Sequence, residues 1–211
     1  MAGKRNDIIE DVGNYYSAKL AEHGDNARGV DWNGEESQFL RFEQLCKIID
    51  SRKPFSLNDV GCGYGALYAH LASCYHTFSY EGCDISRTMI DAAQKRYDRK
   101  SNAAFFVARK PSRTADYGIA SGIFNVRLAF QNGPWRKHLQ SMLDILDRSS
   151  AKGFAFNCLT SYSDKDKMKA YLYYANPCEL FDLCKKRYSR DVALLHDYGL
   201  YEFTILIRKK R

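Results

Sequence analysis

The sequence predicts an α/β fold: a seven-stranded, mostly parallel sheet with an antiparallel strand at its C-terminal end, helices on both faces, and an N-terminal helical arm. The first observation behind this is alternation. From residue 54 onward, short apolar segments of strand length alternate with stretches of helical periodicity, the pattern of strand–helix–strand units. The second is the last pair of strand-like segments, Val192–His196 and Glu202–Arg208. Only Asp197-Tyr198-Gly199-Leu200-Tyr201 joins them, which is enough for a hairpin and too short for a parallel crossover. The third is a glycine-rich turn, Gly61-Cys62-Gly63-Tyr64-Gly65, placed directly after an apolar segment and before a helical one.

The elements follow in order. Residues 7–22 carry Ile8, Ile9, Val12, Tyr15, Tyr16 and Leu20 at helical spacing. His23 to Gly34 is a glycine- and charge-rich connection containing Trp32. Glu35 to Ile49 puts Phe39, Phe42, Leu45 and Ile48 on one helix face, and Pro54 ends that region. The first strand is Ser56–Val60. After the glycine turn come a helix at Ala66–Ser73, a strand at Thr77–Cys83, a helix from Thr88 to Arg99 and a strand at Ala103–Ala108. A fourth strand spans Tyr117–Ser121, a helix runs from about Trp135 to Leu146, and a fifth strand is Gly153–Leu159. Tyr162 to Ala175 reads as an insertion. Pro177 then opens a helix ending near Arg187, since a proline costs nothing at the first helical position. The division expected is a helical arm or cap over residues 1–53 and a main domain over 54–211, with an insertion or lid at about 161–176.

Composition narrows the function classes. With 211 residues, 45% hydrophobic and 14% aromatic, the chain is long and apolar enough to bury a full core. No apolar run reaches the roughly 18 residues that span a bilayer, and residues 1–10 lack the apolar core of a signal peptide, so no membrane partner is expected. The seven cysteines are odd in number and form no C-x-x-C pair. They read as reduced thiols of a cytoplasmic protein, and no metal is expected. The net charge of +7 fits either a nucleic-acid partner or a solvated basic surface. Basic residues gather at Lys95-Arg96, Arg99-Lys100, Lys185-Lys186-Arg187 and Arg208-Lys209-Lys210-Arg211. None of these is interleaved with aromatics as single-strand binding favours, so nucleic acid is the less favoured partner.

The glycine turn carries the chemistry. Glycines there let the backbone approach a ligand that a Cβ would repel. An acidic residue, Asp84, ends the next strand 19 positions after Gly65, where a carboxylate can accept from two ribose hydroxyls. The spacing G-x-G-x-G is one residue shorter than the dinucleotide fingerprint, and Asp59 stands two residues before the first glycine, facing where a cationic group would sit. On Asp59, Gly61, Gly63, Gly65 and Asp84 the chain resembles the class I S-adenosylmethionine-dependent methyltransferases. The resemblance covers about residues 54–208 and implies a Rossmann-like sheet, S-adenosyl-L-methionine as cofactor and S-adenosyl-L-homocysteine as product.

That resemblance implies cofactor contacts at Asp59, Gly61, Cys62, Gly63, Gly65, Asp84 and Ile85, with Ser121 and Gly122 flanking the methionine part. Many family members place an acid after strand three to meet the adenine amine. Here that region reads Val107-Ala108-Arg109-Lys110-Pro111, with no carboxylate. Phe124 or Asn125 is expected to face the acceptor. His196 and Tyr198, in the final hairpin, are candidates to take the acceptor's proton, against the plainer reading of satisfied turn residues. The aromatic segments Ser161–Asp164 and Tyr171–Tyr174, with Trp32, are expected to shape an acceptor pocket. Arg41 and Gln38 reach either an acidic substrate, the cofactor carboxylate or a surface ion pair. The leading expectation is methyl transfer to the O, N or C nucleophile of a small-molecule acceptor by in-line displacement. The alternatives are RNA or protein as acceptor, or a non-catalytic cofactor-binding subunit or sensor.

Overall fold

The computed structural model describes residues 7–32, 34–50 and 52–210. Residues 1–6 of the expected arm and Arg211 of the terminal basic run lie outside them. Two helices come first, α1 (Ile8–His23) and α2 (Glu35–Cys46). Alternating elements follow: β1 (Phe55–Val60), α3 (Ala66–Cys74), β2 (Phe78–Asp84), α4 (Arg87–Arg96), β3 (Ala103–Val107), β4 (Ala115–Ala120), α5 (Asn132–Arg148) and β5 (Ser150–Leu159). The chain closes with α6 (Pro177–Arg187), β6 (Asp191–Leu195) and β7 (Glu202–Arg208). Helix ends are set by local chemistry. The Asp7 carboxylate accepts from Ile9 N at 3.0 Å to start α1, and Gly24 stops it at φ 77°. The Asn176 side chain caps α6 through Cys178 N and Glu179 N, with Pro177 at the first position as expected.

The strands lie in the order β3-β2-β1-β4-β5-β7-β6. β1 pairs in parallel with β2 on one side and β4 on the other, and β7 runs antiparallel between β5 and β6. The expected fold is therefore the observed one. The chain reverses its direction of travel across the sheet between β1 and β4. Helices there depart to opposite faces and leave a crevice beyond the strand ends.

Each sheet face has its own core. On one, Phe42, Leu45 and Ile48 of the α2 region meet Leu67 and Leu71 of α3 and Ile90 of α4 over Leu57, Tyr80 and Ile119. On the other, Trp135, Leu139, Leu143 and Leu146 of α5 and Cys184 of α6 pack on Phe154, Phe156, Phe203 and Ile205. Each such buried side chain stabilises the fold by about 1.5–3 kcal/mol. The second helix is thus part of the main core, while α1 lies over the strand ends. Phe42, Leu45 and Ile48, on the arm side of the expected division at residue 53, pack into the core of the main domain.

Candidate active site

The glycine turn is held by the strand that follows it. Gly61 N and Cys62 N both donate to the Cys83 carbonyl, at 2.8 and 3.1 Å. Asp84 Oδ2 accepts from Gly63 N at 3.0 Å, and its Oδ1 accepts from Ser86 N at 2.8 Å. Gly61, Gly63 and Gly65 all take positive φ (74°, 54° and 82°), which an L side chain rarely adopts. Burial pushes the Asp84 carboxyl above its ordinary value, and these backbone donors oppose the shift.

Over this turn lies a cleft of about 820 Å³, its open mouth included. The sheet side supplies Val60, Gly61, Gly63, Asp84, Ile85, Ser121 and Gly122; α1 closes the cleft with Ile9, Val12, Gly13 and Tyr16. Arg109, after β3, also lines it, and its guanidinium reaches the Asp7 carboxylate at 2.9 Å, fastening the start of α1 across the cleft. A recess of about 340 Å³ continues from Gly61, Gly63 and Ser121 to Asp59 and Cys62. Asp59 is 2% exposed and accepts from the Tyr80 hydroxyl at 2.6 Å. Burial drives its carboxyl up to about 7, aided by the nearby Asp84 charge and opposed by the Tyr80 hydrogen bond. The Ser121 hydroxyl, between cleft and recess, is buried with no partner among the described residues. The lining is therefore apolar along its length and carries a carboxylate at Asp84 and another at Asp59.

A second cavity, about 1380 Å³ with its open mouth included, opens beyond the ends of β4 and β5 and the start of β7. Asn125, Leu159 and Glu202 form its floor, and Ser163, Lys167, Lys169, Tyr171, Leu172 and Tyr174 of the insertion form its lid. The lid is tied down by bridges Val126↔Leu172 and Thr160↔Ala175. Tyr16, Val30 and Trp32 line both cavities, so the two meet at these side chains. Trp32 lies against Gly122: a Cβ there would stand 2.4 Å from the indole Cζ2. The Arg41 guanidinium sits 3.9 Å from the centre of the Trp32 ring.

Of the residues singled out from sequence, Gly61, Gly63, Asp84, Ile85, Ser121 and Gly122 line the cleft, with Asp59 and Cys62 in the recess. Gly65 does not line it. Its absent side chain makes room instead for Tyr97 and Phe105, which a Cβ would approach to 2.7 and 3.0 Å. Asn125 faces the second cavity, its Oδ1 accepting from Leu159 N at 3.0 Å. Phe124 is fully buried in the core against Phe156 rather than facing a ligand. His196 and Tyr198 line neither cavity. His196 is exposed, its ring against Phe203 and Tyr162, and the Tyr198 hydroxyl lies 3.1 Å from Thr204 Oγ1. The hairpin turns His196 to solvent and Tyr198 in toward the buried Thr204, while its neighbour Glu202 also points in. Arg41 makes a buried pair with Glu202 rather than a surface one. Gln38 accepts from the Tyr64 hydroxyl at 3.3 Å.

Sequence reasoning missed Tyr16 at the junction. Its hydroxyl is pushed well above the ordinary phenol value by burial, then by the charges of Asp31, Asp84 and Glu202, so it stays protonated. The only early signal was its place on the apolar stripe of the first helix, where core packing is the ordinary explanation. The described residues hold no cluster of His, Cys, Asp or Glu suited to a metal ion. No helix among them is long and apolar enough to cross a membrane.

The chain matches the methyltransferase domain family over residues 58–149. It is 55% identical over 163 residues to Rv1506c of Mycobacterium tuberculosis, described as a methyltransferase, covering 77% of this chain and 98% of that protein. Among solved structures, the S-adenosylmethionine complex of magnesium protoporphyrin IX methyltransferase from Synechocystis PCC 6803 superposes with a TM-score of 0.67 at 12% identity, over 99% of this chain and 100% of that one. A DhpI complex also gives 0.67, at 14% identity over 97% and 99%, and the methyltransferase domain of a bacterial Hen1 gives 0.60, at 14% over 82% and 99%. At such identities these structures share the fold and no more.

Proposed function

This chain belongs to the class I S-adenosylmethionine-dependent methyltransferases, and on that premise we propose that it methylates a small-molecule acceptor held in the cavity beneath the 161–176 insertion. The observation that carries this is the meeting of the cleft over the glycine turn and a lidded cavity at Tyr16, Val30 and Trp32. The cleft chemistry suits the family's cofactor. Asp84 has lone pairs left for a ribose diol, Ile85 and Met89 offer an apolar wall, and Asp59 offers a carboxylate to an ammonium group. Ser121 has an unspent hydroxyl beside the methionine path. When bound, S-adenosylmethionine supplies a methyl group already activated on a sulfonium.

The chain's own part is alignment and exclusion of water, which is where most of the acceleration of such a displacement comes from. Helix α1 covers the cofactor, the insertion covers the acceptor, and Tyr16 stands between them as a neutral hydrogen-bonding group. His196 and Tyr198 line neither cavity. Residues 1–53, together with the insertion, act as the cap, although α2 also serves the core. The free state of all seven cysteines supports a cytoplasmic location. A basic track for nucleic acid finds little support. Lys186 pairs with Asp182 at 2.7 Å, Arg187 with Asp144 at 2.8 Å and Lys209 with Asp147 at 2.9 Å, so carboxylates interrupt the basic runs at these positions.

The test supplies S-adenosylmethionine with a tritiated methyl group to the protein and to host extract separated into small-molecule, RNA and protein fractions. Label in the small-molecule fraction is the expected result; label confined to RNA or protein rejects the proposal.

A further inference from the structure

The lidded cavity presents cations with donors to spare, while each of its two carboxylates already faces a cation of the protein. From this we infer that the acceptor carries an anionic group, a carboxylate or a phosphate, that docks between Arg41 and Lys169. The inference rests on the small-molecule reading above and names the chemical class of acceptor that reading leaves open.

Asp31 and Glu202 are the carboxylates of the cavity wall. Asp31 Oδ2 accepts from the Tyr15 hydroxyl at 2.8 Å, and Lys19 Nζ lies 3.8 Å from Oδ1. Glu202 is 1% exposed. Its Oε2 accepts from Arg41 Nε at 2.9 Å and from Asn157 Nδ2 at 2.7 Å, and its Oε1 is sealed in protein, out of reach of a ligand. A cationic acceptor entering the cavity meets one carboxylate already held by Arg41 and Asn157, and another, Asp31, that already faces Lys19 and the Tyr15 hydroxyl.

The cations differ. Arg41 is 6% exposed, clamped between the Trp32 ring and Glu202, with Nη1 donating to the Ser37 carbonyl at 2.7 Å. Its Nη2 has no hydrogen-bond partner among the described residues and is not among the sealed polar atoms. The result is a planar donor edge fixed in orientation at the cavity wall, which loses little freedom on meeting an oxyanion. Across the cavity, Lys169 on the lid forms no ion pair among the described residues, and its nearest polar neighbour is the Tyr171 hydroxyl at 3.5 Å. Lys167, on the same lid, pairs with the exposed Asp166 at 3.3 Å and adds charge at the rim. A wall cation with a fixed donor and an unpaired lid cation form a clamp for one anionic group. Charge of this sign also draws such a ligand in from solution.

The experiment uses the full chain and tritiated S-adenosylmethionine with a small-molecule extract of the source cells, split on anion-exchange resin into retained and unretained pools. RNA and protein fractions run alongside. The wild type and Lys169→Glu are compared, and affinity for S-adenosylmethionine is measured on both preparations. Lys169 is exposed, so reversing its charge spares the core. The expected result is label in the retained pool, falling about tenfold in Lys169→Glu, the worth of one charge-assisted hydrogen bond, with cofactor affinity unchanged. Label in the unretained pool, or retained label that Lys169→Glu leaves intact, overturns the inference while the small-molecule reading stands. Label only in RNA or protein, or in no fraction, overturns both.

Discussion

Arg41 Nε lies 2.9 Å from Glu202 Oε2, joining the second helix to the first residue of the last strand across 161 positions of sequence. The pair is buried, with side-chain exposures of 8% and 1%. Glu202 passes the contact on through Asn157, whose Oδ1 accepts from Gly122 N at 2.8 Å, and Arg41 carries Trp32 on its other face. The cap and the strand ends are therefore one hydrogen-bonded unit. Removing one member leaves an unpaired buried charge. Glu202→Ala is expected to cost about 3–5 kcal/mol in denaturant unfolding. Replacing both charges, Arg41→Met with Glu202→Leu, recovers most of that loss. A single mutant as stable as wild type counts against the pair's structural role.

Asp84 holds the glycine turn through Gly63 N and faces the cleft with its remaining lone pairs. Asp84→Ala is expected to weaken S-adenosylmethionine binding by at least about tenfold, read by calorimetry, because charge-assisted hydrogen bonds are lost. Unchanged affinity sinks the cofactor assignment at this residue.

The carboxyl of Asp59 sits at about 7, so its charge state changes within the working pH range. An ammonium ligand binds the ionised form. Cofactor affinity is therefore expected to rise from pH 6 to pH 8 and to lose part of that slope in Asp59→Asn. The sign for stability is the reverse. A carboxyl raised in the folded state holds its proton more tightly there than in the unfolded chain, whose value is near 4. The ligand-free protein then loses stability as pH rises from about 4 to about 7, and Asp59→Asn reduces that loss in thermal melts.

Gly122 takes φ 78° with the Trp32 ring against it. Gly122→Ala combines left-handed strain with a clash, at about 1–3 kcal/mol, and moves the indole. A lower melting temperature together with a shifted tryptophan emission is the expected pair of readouts. An unshifted emission would mean that Trp32 does not rest on this glycine.

Tyr16 borders both cavities, whereas His196 is exposed and Tyr198 is engaged with Thr204. Tyr16→Phe is expected to slow methyl transfer about tenfold with little change in cofactor affinity, the effect of losing one hydrogen bond at the reacting end. His196→Ala and Tyr198→Phe are expected to leave turnover within about twofold of wild type. A large loss in either would return the proton-transfer role to the hairpin.

What could be read in the sequence was whatever is local along the chain. The strand–turn–helix around Gly61-Cys62-Gly63 and the acid ending β2 are set by backbone sterics over a few residues, so spacing reveals them. Strand and helix spans follow from side-chain periodicity, and the closing hairpin from a connection too short to cross over. The final architecture was legible for that reason. Gly65 shows the limit: its φ belongs to the turn, but its lack of a side chain serves Tyr97 and Phe105, distant in sequence.

Only the tertiary structure decided which side chains share a cavity. Residues 16, 32, 41 and 202 lie on separate elements and have no periodic relation, yet all four line the lidded cavity. What brings them together is the crossover between β1 and β4 and the return of β7 between β5 and β6. That same return left His196 at the surface and Tyr198 against Thr204 while setting Glu202 against Arg41. Facing direction in a hairpin depends on register with the neighbouring strand, a long-range pairing that the order of residues does not display.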